Sequence, residues 1–253
     1  MIKFFRKIRY DLMEKNKTGK YFKYAVGEII LVVIGILIAL QINNWNTGKI
    51  QQRESIKLSE RLYEENESNI VELKKIIKRQ KRIISANLSI LQLMGKDYTS
   101  KDPKVLDSLM NLNIITETFH SNSSVLTEAI TTGKLGFFRN VELKSSLYDI
   151  PPLLKKVKTD ENYVMGISNE TGSFISENYS YRQMDYKFSK YKDQLGPSAF
   201  KDIDGRKILS NFKLENEYDN LFFIRNIKLK SYNDLLAKYK EISVLLEKDI
   251  KKR

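Results

Sequence analysis

Residues 24–42 read YAVGEIILVVIGILIALQI, an apolar stretch of nineteen residues that carries a single charge, Glu28. An α-helix rises about 1.5 Å per residue, so this stretch nearly spans a hydrocarbon core of about 30 Å. Aromatic residues flank it on both sides, as they do at membrane interfaces. These interface anchors are Tyr21, Phe22, Tyr24 and Trp45. The pattern predicts a transmembrane signal-anchor helix over 24–45.

Two other interpretations fit an apolar stretch of this length. A core helix of a soluble protein can be equally apolar over its twelve most hydrophobic residues, and a signal peptide carries a similar segment. The aromatic flanks argue against the core helix. No A-x-A-like cleavage site follows Leu40, which argues against the signal peptide.

Basic residues on the two sides of this stretch predict its orientation. Eight lie among residues 1–23 and four among the twenty residues after Ile42. Because Lys and Arg accumulate on the cytoplasmic side, we expect 1–23 in the cytoplasm and 46–253 in the periplasm of a bacterial inner membrane. Residues 1–23 also fit a basic amphipathic segment on the inner leaflet, and a frayed tail whose cations only set the topology is the alternative.

The residues around the apolar stretch carry a resemblance. Residues 20–46 read KYFKYAVGEIILVVIGILIALQINNWN and follow a basic stretch, FFRKIR, at 4–9. This run resembles the N-terminal signature of an uncharacterised family of single-pass inner-membrane proteins of gram-negative bacteria, a domain of unknown function. The resemblance is looser around 126–147 and at the C-terminal helix. It implies an N-terminal anchor with a helical domain, and it implies no activity.

The rest of the chain predicts an all-α fold, a helical-bundle ectodomain after one transmembrane helix. Apolar residues recur at three- and four-residue steps over 46–94 and, in a coiled-coil-like repeat, over about 213–250. Shorter helices are expected within 103–192, with a break or kink at Pro151-Pro152. Since both long helices have broad apolar faces, we expect them to pair antiparallel.

Details of the two long helices can also be predicted. The polar stretch 64–69 interrupts the first apolar face, so we expect it to be exposed or paired with another chain. The seam of the C-terminal helix is expected to run through two sets of residues. The central set is Phe222, Arg225, Leu229, Tyr232, Leu236, Tyr239, Ser243, Leu246 and Ile250, and the set that broadens it is Leu221, Leu235, Ile242 and Leu245.

The composition excludes several classes of chemistry. The chain has no cysteine, which excludes disulfides, thiolate zinc sites and a cysteine nucleophile, and its one histidine, His120, lies in a Ser/Asn-rich stretch. The sequence around Gly133 lacks the first glycine of a phosphate-binding loop, and residues 202–205 lack the spacing of a calcium loop. We therefore predict no catalytic residue, no cofactor and no metal ligand, and we expect the protein not to be an enzyme.

A basic balance of 44 Lys and Arg against 31 Asp and Glu gives a net charge of +13. Aromatic and basic residues alternate over 179–192. The cations of this candidate patch for an anionic partner are Arg182, Lys187, Lys190 and Lys192. For a periplasmic domain the expected partner is cell-wall polymer, anionic headgroups or another envelope protein, and not a nucleic acid. The alternative is that the aromatics pack inward and the cations form a solvated face.

One side of the apolar helix carries small residues. Glu28, Val32, Gly35 and Ala39 follow one another by four, three and four residues, so they share a face. Gly35 and Ala39 form a small-xxx-small pair that lets two helices approach closely. This face predicts self-association in the membrane, with Glu28 either near a neighbouring chain or at the level of the headgroups.

These expectations combine into a predicted function. The chain is interpreted as a membrane-anchored, homo-oligomeric scaffold or docking protein with a helical periplasmic domain. The alternative is an envelope ligand-binding sensor or an accessory subunit of a membrane complex. An oligomeric pore lined by Glu28 is a weaker third interpretation.

Overall fold

The computed structural model describes Tyr10 and residues 18–114, 116–200 and 202–251. The expected amphipathic segment before the apolar helix lies mostly outside the described residues. The α-helices are α1 (Thr18–Leu93), α2 (Pro103–Ile114), α3 (Ser124–Thr131), α4 (Val141–Asn178), α5 (Tyr181–Phe188), α6 (Lys192–Leu195) and α7 (Phe212–Lys251), and short 3₁₀ helices lie at Tyr98–Ser100, Lys134–Phe137 and Gly205–Ser210. No strand occurs in these ranges, and the predicted all-α fold is confirmed.

The chain divides into two compact units, Met1–Ser55 and Ile56–Arg253. Helix α1 contributes residues to both, so the segments expected over 24–45 and 46–94 belong to one helix of 76 residues. Gly48 does not interrupt it. A single glycine costs a helix about 1 kcal/mol and does not by itself end one.

Helices α1 and α7 pair antiparallel within the second unit. Ser59 donates a hydrogen bond to Asp249 (2.7 Å), and Asn66 donates to the Tyr239 carbonyl oxygen (2.7 Å). Farther along α1, the Asn87 amide donates to the carbonyl oxygen of Tyr218 (2.8 Å). Rising numbers on one helix meet falling numbers on the other, as the apolar patterns predicted.

Two apolar cores form around this pair. In the first, α1, α3, α4 and α7 meet, and Leu73, Leu143 and Leu235 are fully buried there. In the second, the C-terminal end of α1 meets α2, α5, the 3₁₀ helix Gly205–Ser210 and the start of α7, around Ile90 and Leu214.

Helix α4 corrects one expectation. It runs for 38 residues through Pro151 and Pro152, so the chain between 103 and 192 is not built of shorter helices alone. Both prolines are exposed, while Leu147, Ile150 and Val157 are buried in the first core. The packing of residues on both sides of the prolines offsets the lost hydrogen bonds, which cost about 3 kcal/mol for a proline inside a helix.

The buried face of α7 is shifted around the helix from the centre line that the sequence predicted. The residues predicted to broaden the seam are buried, whereas four residues of the central set are only half-buried. The buried residues are Leu221, Leu235, Ile242 and Leu245, and the half-buried ones are Phe222, Leu229, Leu236 and Ile250. Helix α7 packs on both α1 and α4, so its buried face is wider than a two-helix seam.

The polar stretch 64–69, predicted to be exposed or paired with another chain, is only partly exposed, and its residues Glu65, Asn66 and Asn69 are buried within the domain. The buried Glu65 carboxylate accepts hydrogen bonds from the backbone N–H groups of Val125 (2.7 Å) and Leu126 (3.1 Å) at the start of α3. Asn69 is buried as well and exchanges hydrogen bonds with the Asn122 backbone. The polar residues of α1 therefore satisfy the N-terminus of another helix, which has no intrahelical partners for its first N–H groups.

We expect Leu235→Asp to lower the free energy of unfolding by about 4 kcal/mol, because it places an unpaired carboxylate in the first core. The matched control is Ile227→Asp on the same helix, where the side chain is 54% exposed and the change should stay within about 0.5 kcal/mol. Chemical unfolding of the full chain in detergent, followed by circular dichroism, measures both. Equal stability of the two variants would contradict the observed core.

Candidate functional site

The predicted membrane face lies open along α1. Val32 is 58% exposed, Gly35 and Ala39 are exposed, and Glu28 is half-buried. A Cβ atom added at Gly35 would meet no atom within 4 Å. This face of small residues is therefore accessible to another helix.

The interface anchors lie on the same helix. Phe22, Tyr24 and Trp45 are exposed, and the Lys49 ammonium lies 3.9 Å from the centre of the Trp45 ring. The side chain of Tyr21 lies outside the described residues. A cation over an indole ring is a favourable contact, which orients Trp45 beside a positive charge.

The four cations of the predicted anionic-partner patch have different surroundings. Arg182 donates to the Leu195 carbonyl oxygen (2.5 Å), and Lys187 forms an ion pair with Asp107. Lys190 lies 4.9 Å from the centre of the Tyr191 ring, and Lys192 is exposed at the start of α6. Arg182 and Lys187 are thus engaged in contacts within the domain.

The aromatic residues of the same segment divide into two groups. Tyr179 is buried, and its hydroxyl donates to Asp107; burial and the neighbouring carboxylate raise the pKa of this hydroxyl. Tyr186, Phe188 and Tyr191 are exposed. The alternative in which all the aromatics pack inward is therefore wrong for these three.

The other candidate motifs have structural roles. Gly133 has φ 70° at the end of α3, a left-handed conformation that suits a helix C-terminus. Asp204 accepts hydrogen bonds from the backbone and side chain of Arg206, which caps a 3₁₀ helix and lowers the pKa of the carboxyl. His120 is exposed and makes a 3.1 Å hydrogen bond with Thr118. In the part of the chain that the structure describes, no group of three acidic or histidine side chains has the geometry of a metal site.

The most unusual feature is a pair of buried cations on α7. Arg225 is 2% exposed and Lys228 is 1% exposed, and both rank among the largest fully buried side chains. Along α7 they lie between Tyr218, in the second core, and Tyr232, in the first. We call Arg225 and Lys228, together with the buried Asn87, Asn113 and Glu161 around them, the basic layer.

The Arg225 guanidinium is held by neutral groups. It donates to the side-chain oxygens of Asn87 (3.0 Å) and Asn113 and to the Asn113 carbonyl oxygen (3.1 Å). Across the described ranges, no carboxylate lies within ion-pair distance of it. Burial lowers the pKa of Arg225 to about 10, so the side chain is a cation at neutral pH.

Lys228 lies in the same layer, and its ammonium donates to the Glu117 carbonyl oxygen (3.3 Å). Burial lowers its pKa to about 8, and Arg225 adds to this effect, while Glu161 and Glu117 oppose it. The Glu161 carboxylate is satisfied by the backbone N–H of Phe119 (2.6 Å) and by the hydroxyl of Tyr232 (2.8 Å).

A cavity of about 420 Å³ opens beside Arg225. Helix α4 supplies one wall, with Ser168 and Gly172, and Tyr181 and Tyr218 contribute to the others. The Ser168 hydroxyl is buried and has no hydrogen-bond partner among the residues that the structure describes. The cavity thus combines a buried cation with an unsatisfied hydroxyl.

The sequence alone did not identify the basic layer or the cavity as a candidate site. Arg225 did fall within the predicted apolar seam of α7, which is a usable signal because Arg is rarely fully buried. Lys228 lies outside that seam. Ser168 and Gly172 lie far from Arg225 in the chain, and no periodicity links them to it.

Comparison with known proteins finds a partial match. Residues 28–150, just under half of the chain, match the model of a family of unknown function, DUF6090. The expected similarity to a domain of unknown function is thus confirmed. No curated protein and no solved structure matches the chain.

The buried ammonium of Lys228 predicts a pH-dependent stability. Its pKa is about 8 in the folded protein and 10.5 in the reference state, so its burial penalty is present below pH 8 and is relieved as the pH rises. We expect Lys228→Met to be more stable than the wild type at pH 7. This advantage should fall by about 2 kcal/mol by pH 9.5.

Chemical unfolding at several pH values measures the difference between the two proteins. Lys230→Met is the matched control, since Lys230 is exposed on the same helix and pairs with Asp234. Its effect should not vary over this pH range. A difference for Lys228→Met that is constant from pH 7 to 9.5 would show that Lys228 does not titrate as expected.

Proposed function

We propose that this protein is a single-pass inner-membrane protein of gram-negative bacteria, a non-catalytic scaffold or docking protein with a periplasmic helical domain. The observation that carries the proposal is the exposed apolar part of α1. The helix from Phe22 to Leu93 contains an eighteen-residue window with a mean hydropathy of 2.6, and none of that window is buried.

The burial pattern favours a membrane anchor over a soluble core helix. Ile29, Leu31 and Leu37 are each more than half exposed, whereas Leu73, on the same helix, is fully buried in the first core. A core helix would be covered by protein along its apolar run. Exposed apolar side chains over about 30 Å of helix are stable when lipid covers them.

The orientation follows from the basic residues before the apolar stretch. They outnumber those in the twenty residues after it by eight to four, which favours a cytoplasmic N-terminus and a periplasmic domain. The resemblance to single-pass inner-membrane proteins supports the same arrangement.

The hydrogen bonds of the buried carboxylates Glu65 and Glu161 support a non-catalytic role. Glu65 caps the start of α3, and Glu161 binds a backbone N–H and a tyrosine hydroxyl. Both carboxylates are thus committed to holding the fold. The chain offers no thiol for nucleophilic catalysis, and its one histidine is exposed.

The proposed scaffold is an oligomer whose chains associate through their membrane helices. Gly35 and Ala39 leave room for the backbone of a second helix, and close packing of small residues stabilises helix pairs in lipid. The partners that we infer are membrane lipids and further copies of this chain. Other envelope proteins or cell-wall polymer are the partners proposed for the periplasmic domain.

The orientation predicts the outcome of reporter fusions. A reporter that is active only in the periplasm, fused after Arg253, should be active in cells, and a cytoplasm-only reporter at the same position should be inactive. The reverse pattern would place the helical domain in the cytoplasm. Recovery of the active fusion protein in the soluble fraction, and not in the membrane fraction, would contradict the anchor.

Self-association predicts a cross-linking pattern. Because the native chain has no cysteine, single-cysteine variants report on one position each. We expect efficient disulfide formation in membranes at Ala39→Cys and little at Leu37→Cys, which lies on the opposite side of the helix. Adding Gly35→Ile should reduce the yield at position 39, because a bulky side chain separates the helices. Equal yields at 37 and 39 would rule out the proposed face.

A further inference from the structure

We propose that the cavity beside Arg225 binds a small monoanion that also carries hydroxyl groups, a hydroxycarboxylate or a sugar acid, with its carboxylate on the Arg225 guanidinium. This inference goes beyond the scaffold function, and it depends neither on the membrane anchor nor on self-association.

The first argument is charge. A buried cation is normally paired with an opposite charge, because an uncompensated charge is costly away from water. Arg225 is 2% exposed and has only the neutral oxygens of Asn87 and Asn113 as acceptors. A guanidinium has five N–H donors in a planar fork, and three hydrogen bonds occupy it here. A bound carboxylate would supply the missing negative charge and accept from the remaining donors.

The second argument is an independent polar group in the same cavity. Ser168 is one of the residues that line the cavity, and its hydroxyl oxygen is buried with no hydrogen-bond partner within the described ranges. Buried polar groups without partners are rare in folded proteins. A ligand hydroxyl that reaches Ser168 would satisfy it.

The third argument is the size and lining of the cavity. Its volume of about 420 Å³ falls in the range of small-molecule sites, which is about 300–1,000 Å³. Hydroxyl and amide side chains dominate the polar part of the lining, and these groups bind sugar-like hydroxyls. They are Asn113, Ser168, Asn169, Thr171, Ser173 and Ser176.

The charge balance favours a monoanion over a phosphate dianion. Arg225 supplies one positive charge to the cavity, and no Asp or Glu belongs to the described lining. The Glu217 carboxylate lies close to the lining, since it accepts from the hydroxyl of the lining residue Thr171 (3.2 Å). A second negative charge on the ligand would therefore lack a partner and face Glu217.

A single substitution can fill the cavity while leaving Arg225 and Ser168 in place. Gly172 lines the cavity in the last two turns of α4, and a Cβ atom there would lie 3.7 Å from the Tyr181 hydroxyl, an ordinary contact with the group that donates to the Gly172 carbonyl oxygen (2.8 Å). Glycine is a poor helix former, so Gly172→Leu improves the helix while its side chain occupies the cavity. Gly166→Leu is the matched control, since Gly166 lies on the same helix, outside this cavity and in open space.

The test is calorimetric titration of the full chain in detergent, together with thermal unfolding. The probes, all at about pH 8.5, are D-glucuronate and D-gluconate, with glucose as the neutral analogue, acetate as the anion without hydroxyls, and inorganic phosphate, which is almost entirely a dianion at this pH. We expect saturable binding of at least one hydroxycarboxylate with a Kd below about 1 mM, and a raised melting temperature. Glucose, acetate and phosphate should bind at least tenfold more weakly.

The variants locate the binding. Gly172→Leu should weaken the binding at least tenfold with an unchanged or higher melting temperature, and Gly166→Leu should bind as the wild type does. Arg225→Gln should abolish the preference for glucuronate over glucose. If that variant does not fold, Gly172→Leu alone decides the location.

Several results would overturn the proposal. These are the absence of binding by both hydroxycarboxylates, equal binding of glucose, tighter binding of phosphate, or full binding by Gly172→Leu. Phosphate as the tightest ligand would reassign the cavity to a different class of anion.

Discussion

The Arg225 guanidinium joins three helices at one point in the bundle. It donates from α7 to Asn87 on α1 and to Asn113 on α2, and Asn87 in turn donates to the backbone of α7 at Tyr218. Apolar faces alone would allow the helices to slide by a turn, because leucine packs against leucine in several registers. A buried polar contact is satisfied in one register only, since any shift leaves a charge without partners. We therefore expect the basic layer to favour the observed alignment of the two apolar cores over shifted ones.

The same layer carries an electrostatic imbalance. Two cations are buried there, and the carboxylate of Glu161 is already held by a backbone N–H and by Tyr232. Burial lowers the pKa of Lys228, and the neighbouring positive charge of Arg225 lowers it further. A fold selected for stability alone would replace such cations with apolar residues of similar volume. The cavity beside Arg225 offers a reason to retain one of them, since a bound anion would restore the balance.

The sequence predicts features that depend on neighbours along one helix, and it fails for features that depend on neighbours in space. Three- and four-residue spacing was enough to locate α7 and the core half of α1. The same spacing misjudged Pro151, because the packing of Ile150 and Val157 that holds α4 together is not visible in it. It placed Arg225 in a seam, but Ser168 lines the same cavity as that cation only after α4 and α7 pack together. The exposed or buried state of residues 64–69 likewise depended on α3, whose N-terminus Glu65 caps.

The partial family match covers the apolar part of α1 but not most of the proposed ligand site. Residues 28–150 include the exposed apolar run of α1, the capping Glu65, and both asparagines that hold Arg225. Arg225 itself and the α4 wall of the cavity lie beyond the match, and no solved structure supplies them from elsewhere. The apolar part of α1 and part of the first core can therefore be compared with the family, whereas most of the cavity lining lies outside the matched residues. Ligand binding must accordingly be established on the cavity residues themselves, and Gly172 is the position at which it can be removed while the helix is strengthened.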